Sequence, residues 1–288
     1  MIDALKIIPN GAYVDCTFGG GGHSKEILNH LDQNGRLIVF DHDKDAAINL
    51  PSDSRVIFVP QNFRFLNRFL KLHKVIKING LLADLGVSSH QFDEASRGFS
   101  TRYDAPLDMR MDTRQDVTAA SIVNSYPEEK LHKIFEKYGE VTNSKTLAAK
   151  IVEVRKHQNI SSINNFKDAL YDVVMGNPAK YFAQVFQALR IEVNEELKAL
   201  EELLIQLPDA MANDGRVVFI TFHSLEDRLV KNFFKHGAFD EINESDLFGN
   251  RTKSPFKLIT KKPLTASEAE LKLNSRSRSA KVRIAEKK

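Results

Sequence analysis

Four short apolar runs fill the first 85 residues: Ala12–Cys16, Arg36–Asp41 (RLIVFD), Val56–Val59 and Gly80–Leu85 (GLLADL). Helical patterns lie between them, near residues 23–31, 44–50 and 64–73. A strand with one wet face would alternate apolar and polar residues, so continuous runs separated by helices predict a parallel sheet covered on both sides. The rhythm stops at Gly86. Residues 86–113 are polar and rich in charge, and 117–212 carry helical periods only. One helix opens at Pro127 with Glu128 and Glu129 at the positive end of its dipole. Others are expected over 144–157 and 164–175, and a single long one from Lys180 towards Leu207. The strand pattern returns at Arg216–Phe222 (RVVFITF), followed by a helix over 225–236 and strands over 256–260 and 280–285. The expected fold is a doubly wound α/β sheet domain, residues 1–95 and 205–288, interrupted by an all-helical insertion, 96–204. A chain of 288 residues is long enough for two such units, each with a core.

Composition narrows the setting. Cys16 is the one cysteine, which excludes a disulfide framework or a Cys-based zinc site and fits a reducing compartment. His23, His42, His90 and His223 have no zinc-motif spacing, so no metal is expected. No leader pattern precedes Pro9, and no apolar run approaches the roughly 20 residues that cross a bilayer. A soluble cytoplasmic protein without a membrane partner is expected. The net charge of +3 conceals an asymmetry: residues 251–288 hold 12 Lys and Arg against 3 Asp and Glu, leaving 29 against 35 in the rest. A basic C-terminal section on an acidic body suits a polyanion such as nucleic acid, and it suits a solvated tail equally well.

Three candidates for chemistry sit where strands end. After the first run comes Asp15, then Thr17, four glycines from Gly19 to Gly22, and His23. Glycines there let the backbone approach a ligand at a helix N-terminus. The dinucleotide pattern GxGxxG needs glycine at position 24, which is Ser24, so a dehydrogenase is disfavoured and a small nucleoside without pyrophosphate suits the loop better. Asp41 ends the second run, 26 residues after Asp15, where an acid accepts hydrogen bonds from both ribose hydroxyls; a plain turn aspartate is the alternative. Asp84 ends the fourth, beside Gly86 and Ser88, where reacting groups gather in open α/β sheets, or where an acid merely caps a turn.

Seven blocks in order, DCTFGGGGHS, LADLGVSSHQFD, RGFS, PLDMRMD, LRIEVNEEL, ITFHSLEDRLVK and SRSRSAKVR, resemble the MraW family. Its members are S-adenosylmethionine-dependent methyltransferases acting on the N4 of a cytidine in small-subunit ribosomal RNA. The resemblance implies a seven-stranded, Rossmann-like methyltransferase sheet with a helical substrate domain inserted after the fourth strand. It matches Gly21, Gly22 and His23 to the cofactor loop, Asp41 to the ribose acid and Phe63 to a ring that stacks on adenine, with Asp84 and Gln91 completing the cofactor set. Asp84, or the carbonyl of Leu85, is the candidate catalytic acceptor for the cytosine amine. The implied partner is small-subunit ribosomal RNA or the assembling small subunit, with the target cytidine out of its stack. Arg276, Arg278, Lys281 and Arg283 then read as phosphate contacts, together with Arg97, Arg102 and Arg110. The rivals are an amino-methyltransferase acting on DNA or protein, and a non-catalytic RNA-binding assembly factor. Two departures stand out. The family carries a segment ahead of the first strand, so that part of the pocket lid is expected to be lacking here. Ala105 replaces a glycine, which predicts a locally altered loop because alanine tolerates positive φ poorly.

Overall fold

The computed structural model describes residues 2–239 and 253–288. They divide into two units, Met1–Gly86 with Leu197–Lys288, and Val87–Glu196. In the first unit β1 (Ala12–Asp15), β2 (Arg36–Phe40), β3 (Val56–Val59) and β4 (Ile78–Asp84) run parallel, with α1 (Gly22–His30) after β1 and α2 (Leu66–Leu72) after β3. Successive strand residues point to opposite faces. Val14, Ile38, Phe40 and Leu81 therefore join one core with Leu66 and Leu70 of α2. Tyr13, Leu37, Val39 and Leu82 join another with Ile27 and Leu28 of α1. Burial on both faces is why these strands read as unbroken apolar runs. The segment expected as a helix over 44–50 is a 3-10 helix, Lys44–Asn49, because Pro51 holds Leu50 in an extended conformation and stops the coil.

The second unit is helical: α3 (Ser89–Asp93), α4 (Ala119–Ser125), α5 (Glu128–Lys137), α6 (Ser144–Val154), α7 (Ile163–Ala169) and α8 (Pro178–Asn194). Leu131, Ile134 and Phe135 of α5, spaced at three and four residues, pack with Leu147, Ile151, Phe166, Val185 and Leu189. Ala105, where a glycine was expected, is buried with a φ that is not positive, and its carbonyl accepts the Ile163 N–H. Glycine is required instead at Gly98, with φ of 76°, where a Cβ would stand 2.5 Å from the Pro106 carbonyl oxygen.

The long helix expected from Lys180 to Leu207 is broken. Glu195 adopts a left-handed φ of 48°, and a new helix, α9 (Glu196–Ala210), begins at the next residue. At the break Asn194, the last residue of α8, accepts the Met111 N–H through its side chain at 2.7 Å and donates to the carbonyls of Met109 and Arg190 at 2.8 and 2.9 Å, which pins the helix end. Leu200, Leu203, Leu204 and Leu207 of α9 then pack into the sheet's core. β5 (Met211–Thr221) lies parallel to β4, and α10 (Ser224–His236), β6 (Phe256–Leu258), β7 (Leu264–Thr265), α11 (Glu268–Leu273) and β8 (Lys281–Lys287) complete the chain. The strand order is β3-β2-β1-β4-β5-β8-β6, with β7 also on β8 and β8 antiparallel to its neighbours. Among the described residues, no helix is long and apolar enough to cross a membrane.

Candidate active site at the strand ends

From β1 the chain works outward through β2 to β3, then returns to the other side of β1 as β4. Beyond the carboxyl ends of strands, at such a reversal, the flanking loops part and leave a crevice. Asp15, Asp41 and Asp84 all stand at that end of three adjacent strands.

Asp15 serves the scaffold. It is fully buried, its Oδ1 accepts the Thr17 N–H at 3.1 Å and its Oδ2 accepts the Ser24 hydroxyl at 2.6 Å. Burial pushes its carboxyl up, against the pull of those hydrogen bonds. Thr17 Oγ1 in turn accepts the Asp84 N–H at 2.8 Å, which latches the glycine loop to the end of β4. Gly21 precedes α1 with φ of 75°, a conformation natural to glycine. A Cβ placed on Gly20 or Gly22 would meet nothing within 4 Å, so the loop presents bare backbone to open space there.

Asp41 fixes this loop from the side. Its Oδ2 accepts the Gly19 N–H and its Oδ1 the Asp43 N–H, both at 2.8 Å. Each oxygen keeps a lone pair for another donor. Burial pushes the Asp41 carboxyl up as well. Asn49 closes the loop's other edge by donating to the Gly19 carbonyl. Phe63 opens a 3-10 helix, Phe63–Phe65, capped by Asn62, and packs half-buried on the core beneath. Asn62 Nδ2 lies 3.1 Å from His42 Nδ1, which joins the loops after β2 and β3.

His23 Nε2 stands 3.6 Å from Asp84 Oδ2. That carboxylate pushes the imidazole up from its ordinary range, against the burial that would lower it. The other oxygen, Asp84 Oδ1, is buried and has no hydrogen-bond partner among the described residues. A buried acceptor of this kind is costly unless a donor completes it, and an amine or ammonium group would do so.

The first unit thus gathers Gly21, Gly22, His23, Asp41, Phe63 and Asp84 around its strand ends. Gln91 belongs to the second unit, where its Oε1 accepts the Ser88 N–H and its own N–H donates to Ser88 Oγ in the capping box of α3. Thr17, noted in the sequence only as a small residue of the glycine loop, supports the site, and so do Ser24, Asn49 and Asn62, which had no role assigned. Ser24 lies inside α1 and Asn49 ends the 3-10 helix after β2, so no strand-end signal marks either.

The basic residues separate by burial. Arg276 and Arg278 are exposed on the 3-10 helix Ser275–Ser279, and Arg102 is exposed on its loop. Arg283, expected at a phosphate, is buried and grips Asp227 through two hydrogen bonds of 2.6 and 2.9 Å. Lys281 lies half-exposed, 3.6 Å from the same carboxylate. Arg97 donates to the carbonyls of Arg110 and Met111, and Arg110 is held by Asp108 and by the carbonyls of Thr113 and Gln115. Arg283, Arg97 and Arg110 are braces of their own units. The ITFHSLEDRLVK block is structural too: His223 and Glu226 cap α10, and Asp227 holds β8.

A family model described as the MraW methylase family matches residues 1–288. A protein from Bacteroides thetaiotaomicron is 50% identical over 288 residues, covering 100% of this chain and 94% of the relative. One from Azobacteroides pseudotrichonymphae is 53% identical over 287 residues, covering 99% and 94%. One from Flavobacterium psychrophilum is 50% identical over 288 residues, covering 100% and 98%. Each of the three is named ribosomal RNA small subunit methyltransferase H.

Proposed function

The chain belongs to the MraW methylase family, and from that premise we propose that it methylates the exocyclic N4 of a cytidine in small-subunit ribosomal RNA, in the cytoplasm, with S-adenosylmethionine as donor. Full-length likeness to proteins named for small-subunit ribosomal RNA methylation carries this reading. The residues fit the donor: bare backbone at Gly20 and Gly22 admits a close ligand, and Asp41 has lone pairs for ribose hydroxyls. Phe63 is assigned to the adenine, and Gln91 to the cofactor on the family likeness alone.

When bound, S-adenosylmethionine supplies an electrophilic methyl group on a sulfonium. The chain's task is alignment, because methyl transfer is an in-line displacement and well-oriented reactants gain roughly 7–11 kcal/mol over free encounter. The cytosine amine is a weak nucleophile, its lone pair delocalised into the ring. Asp84 would accept an N–H of that amine, localise its lone pair, offset the positive charge that grows on the nitrogen and take the proton that the methylated nitrogen must lose. His23, beside the other Asp84 oxygen, fixes the carboxylate's direction. The test is incubation of the purified protein with S-adenosylmethionine and small-subunit ribosomal RNA or assembling subunits, then mass spectrometry of the nucleosides. N4-methylcytidine is expected. A methyl group on another atom, or calorimetry showing no heat with S-adenosylmethionine, would replace this reading with one of its rivals.

A further inference from the structure

Within the helical unit one exposed aromatic stands on an unusually well-braced loop. Tyr103 is 56% exposed. On its N-terminal side the Arg102 N–H donates to Ser100 Oγ, and Lys167 Nζ donates to the Thr101 carbonyl. On its C-terminal side Asp104 Oδ1 accepts the Asn164 N–H at the start of α7, and the Ala105 carbonyl accepts the Ile163 N–H. Scattered apolar residues on a surface are ordinary, and exposure alone says little. Tyr103 combines exposure with a backbone held on both sides, so a partner that packs on its ring pays little ordering entropy in the loop. The flanking Arg102 is also exposed, and its guanidinium lies 5.9 Å from the Phe92 ring centroid. An exposed ring and an exposed cation at adjacent positions of one loop match an unpaired nucleotide, which offers a π-face and a phosphate.

We propose that Tyr103 is a stacking platform for an unpaired base of the RNA substrate, with Arg102 beside it contacting a phosphate. The inference rests on the ribosomal RNA reading above and adds a residue on which an unpaired base of that RNA rests. Stacking is insensitive to salt, whereas a phosphate contact releases counterions, and that difference separates the two side chains.

The experiment is fluorescence-anisotropy titration of a labelled single-stranded RNA, cut from small-subunit ribosomal RNA, over a salt series. The proteins are full-length wild type, Tyr103→Ala, Tyr103→Phe and Arg102→Ala, each shown by calorimetry to retain S-adenosylmethionine affinity. Tyr103→Ala should bind about 10-fold more weakly with an unchanged log–log salt slope, and Tyr103→Phe should bind as wild type does. Arg102→Ala should shallow the slope by about 0.7. Equal weakening in Tyr103→Phe and Tyr103→Ala would assign the effect to the hydroxyl and overturn stacking, as would undiminished affinity in Tyr103→Ala. Wild-type protein that binds no ribosomal RNA would remove the RNA reading itself, a result visible before any variant is compared.

Discussion

Asp84 has one oxygen turned to His23 and one buried without a hydrogen-bond partner among the described residues, and two roles compete for the second. It could accept from the donor's ammonium group or from the reacting amine. Asp84→Asn keeps the size and one acceptor oxygen but removes the charge. If the carboxylate offsets charge on the nitrogen, single-turnover methyl transfer should slow by about 10² or more while S-adenosylmethionine affinity stays nearly constant. Lost cofactor binding large enough to explain the whole drop in rate would make Asp84 a binding residue. The same variant carries an internal check: without the carboxylate, the His23 imidazole should titrate lower than in wild type, measurable by NMR. Asp84 and Asp41 were legible in the sequence because each ends an apolar run and interrupts it with charge. Thr17 was visible only as a small residue. Its hydrogen bond to the Asp84 backbone crosses 67 positions of sequence, and nothing in local spacing announces a contact between adjacent parallel strands.

β8 was legible as a strand over 280–285 and stands at Lys281–Lys287, but its direction and its buried charge were not legible. It enters the sheet antiparallel between β5 and β6, and it carries Arg283, a charge inside a strand, at 4% exposure. That placement depends on Asp227 from α10, whose two oxygens meet the guanidinium. Burial acts to raise the Asp227 carboxyl, and Arg283 and Lys281 outweigh it, leaving the group below its ordinary range. Removing one partner of such a pair strands the other charge, so Asp227→Asn should destabilise the protein by about 3–5 kcal/mol in urea unfolding at neutral pH. A group whose folded value is depressed contributes stability above its unfolded value of 3.8 and loses it as pH falls through the folded value. Wild type should therefore lose this part of its stability only in acid, and the variant should lack that part of the acid loss. Equal unfolding midpoints for the two proteins at neutral pH would show that the pair contributes nothing net. Periodicity could not reveal this pairing, just as it could not reveal the break at Glu195. A single left-handed residue leaves the 3.6-residue pattern intact on both sides, and the contacts that pin the helix end there, from Asn194 to Met109 and Met111, span more than 80 positions.

Across the whole molecule, the alternation of apolar runs and helices disclosed both units, because burial on two faces of a sheet and on one face of each helix imposes different periods. Their limits were less legible. Val87 and Phe92 pack on the helical core, whereas Leu200, Leu203 and Leu204 pack on the sheet's core, so nine residues at the first junction and eight at the second lie on the other side of the expected boundary. Charge also redistributes once contacts are known. The 12 basic residues from Arg251 onward include Arg283, which Asp227 holds in the interior, so the count overstates what an RNA could meet. Arg276 and Arg278 are different, both exposed on one short 3-10 helix ahead of β8. If both touch phosphates, replacing them with Ala should shallow the log–log salt slope of ribosomal RNA binding by about 1.4–1.8 units. S-adenosylmethionine affinity should not change, since neither side chain belongs to the glycine loop or the strand-end acids. Single substitutions should each give about half of the slope change, because each phosphate contact releases its own counterions. An unchanged slope in the double variant would show that Arg276 and Arg278 do not touch the RNA. The salt dependence of binding would then have to come from other cations, with Arg102 the first to test.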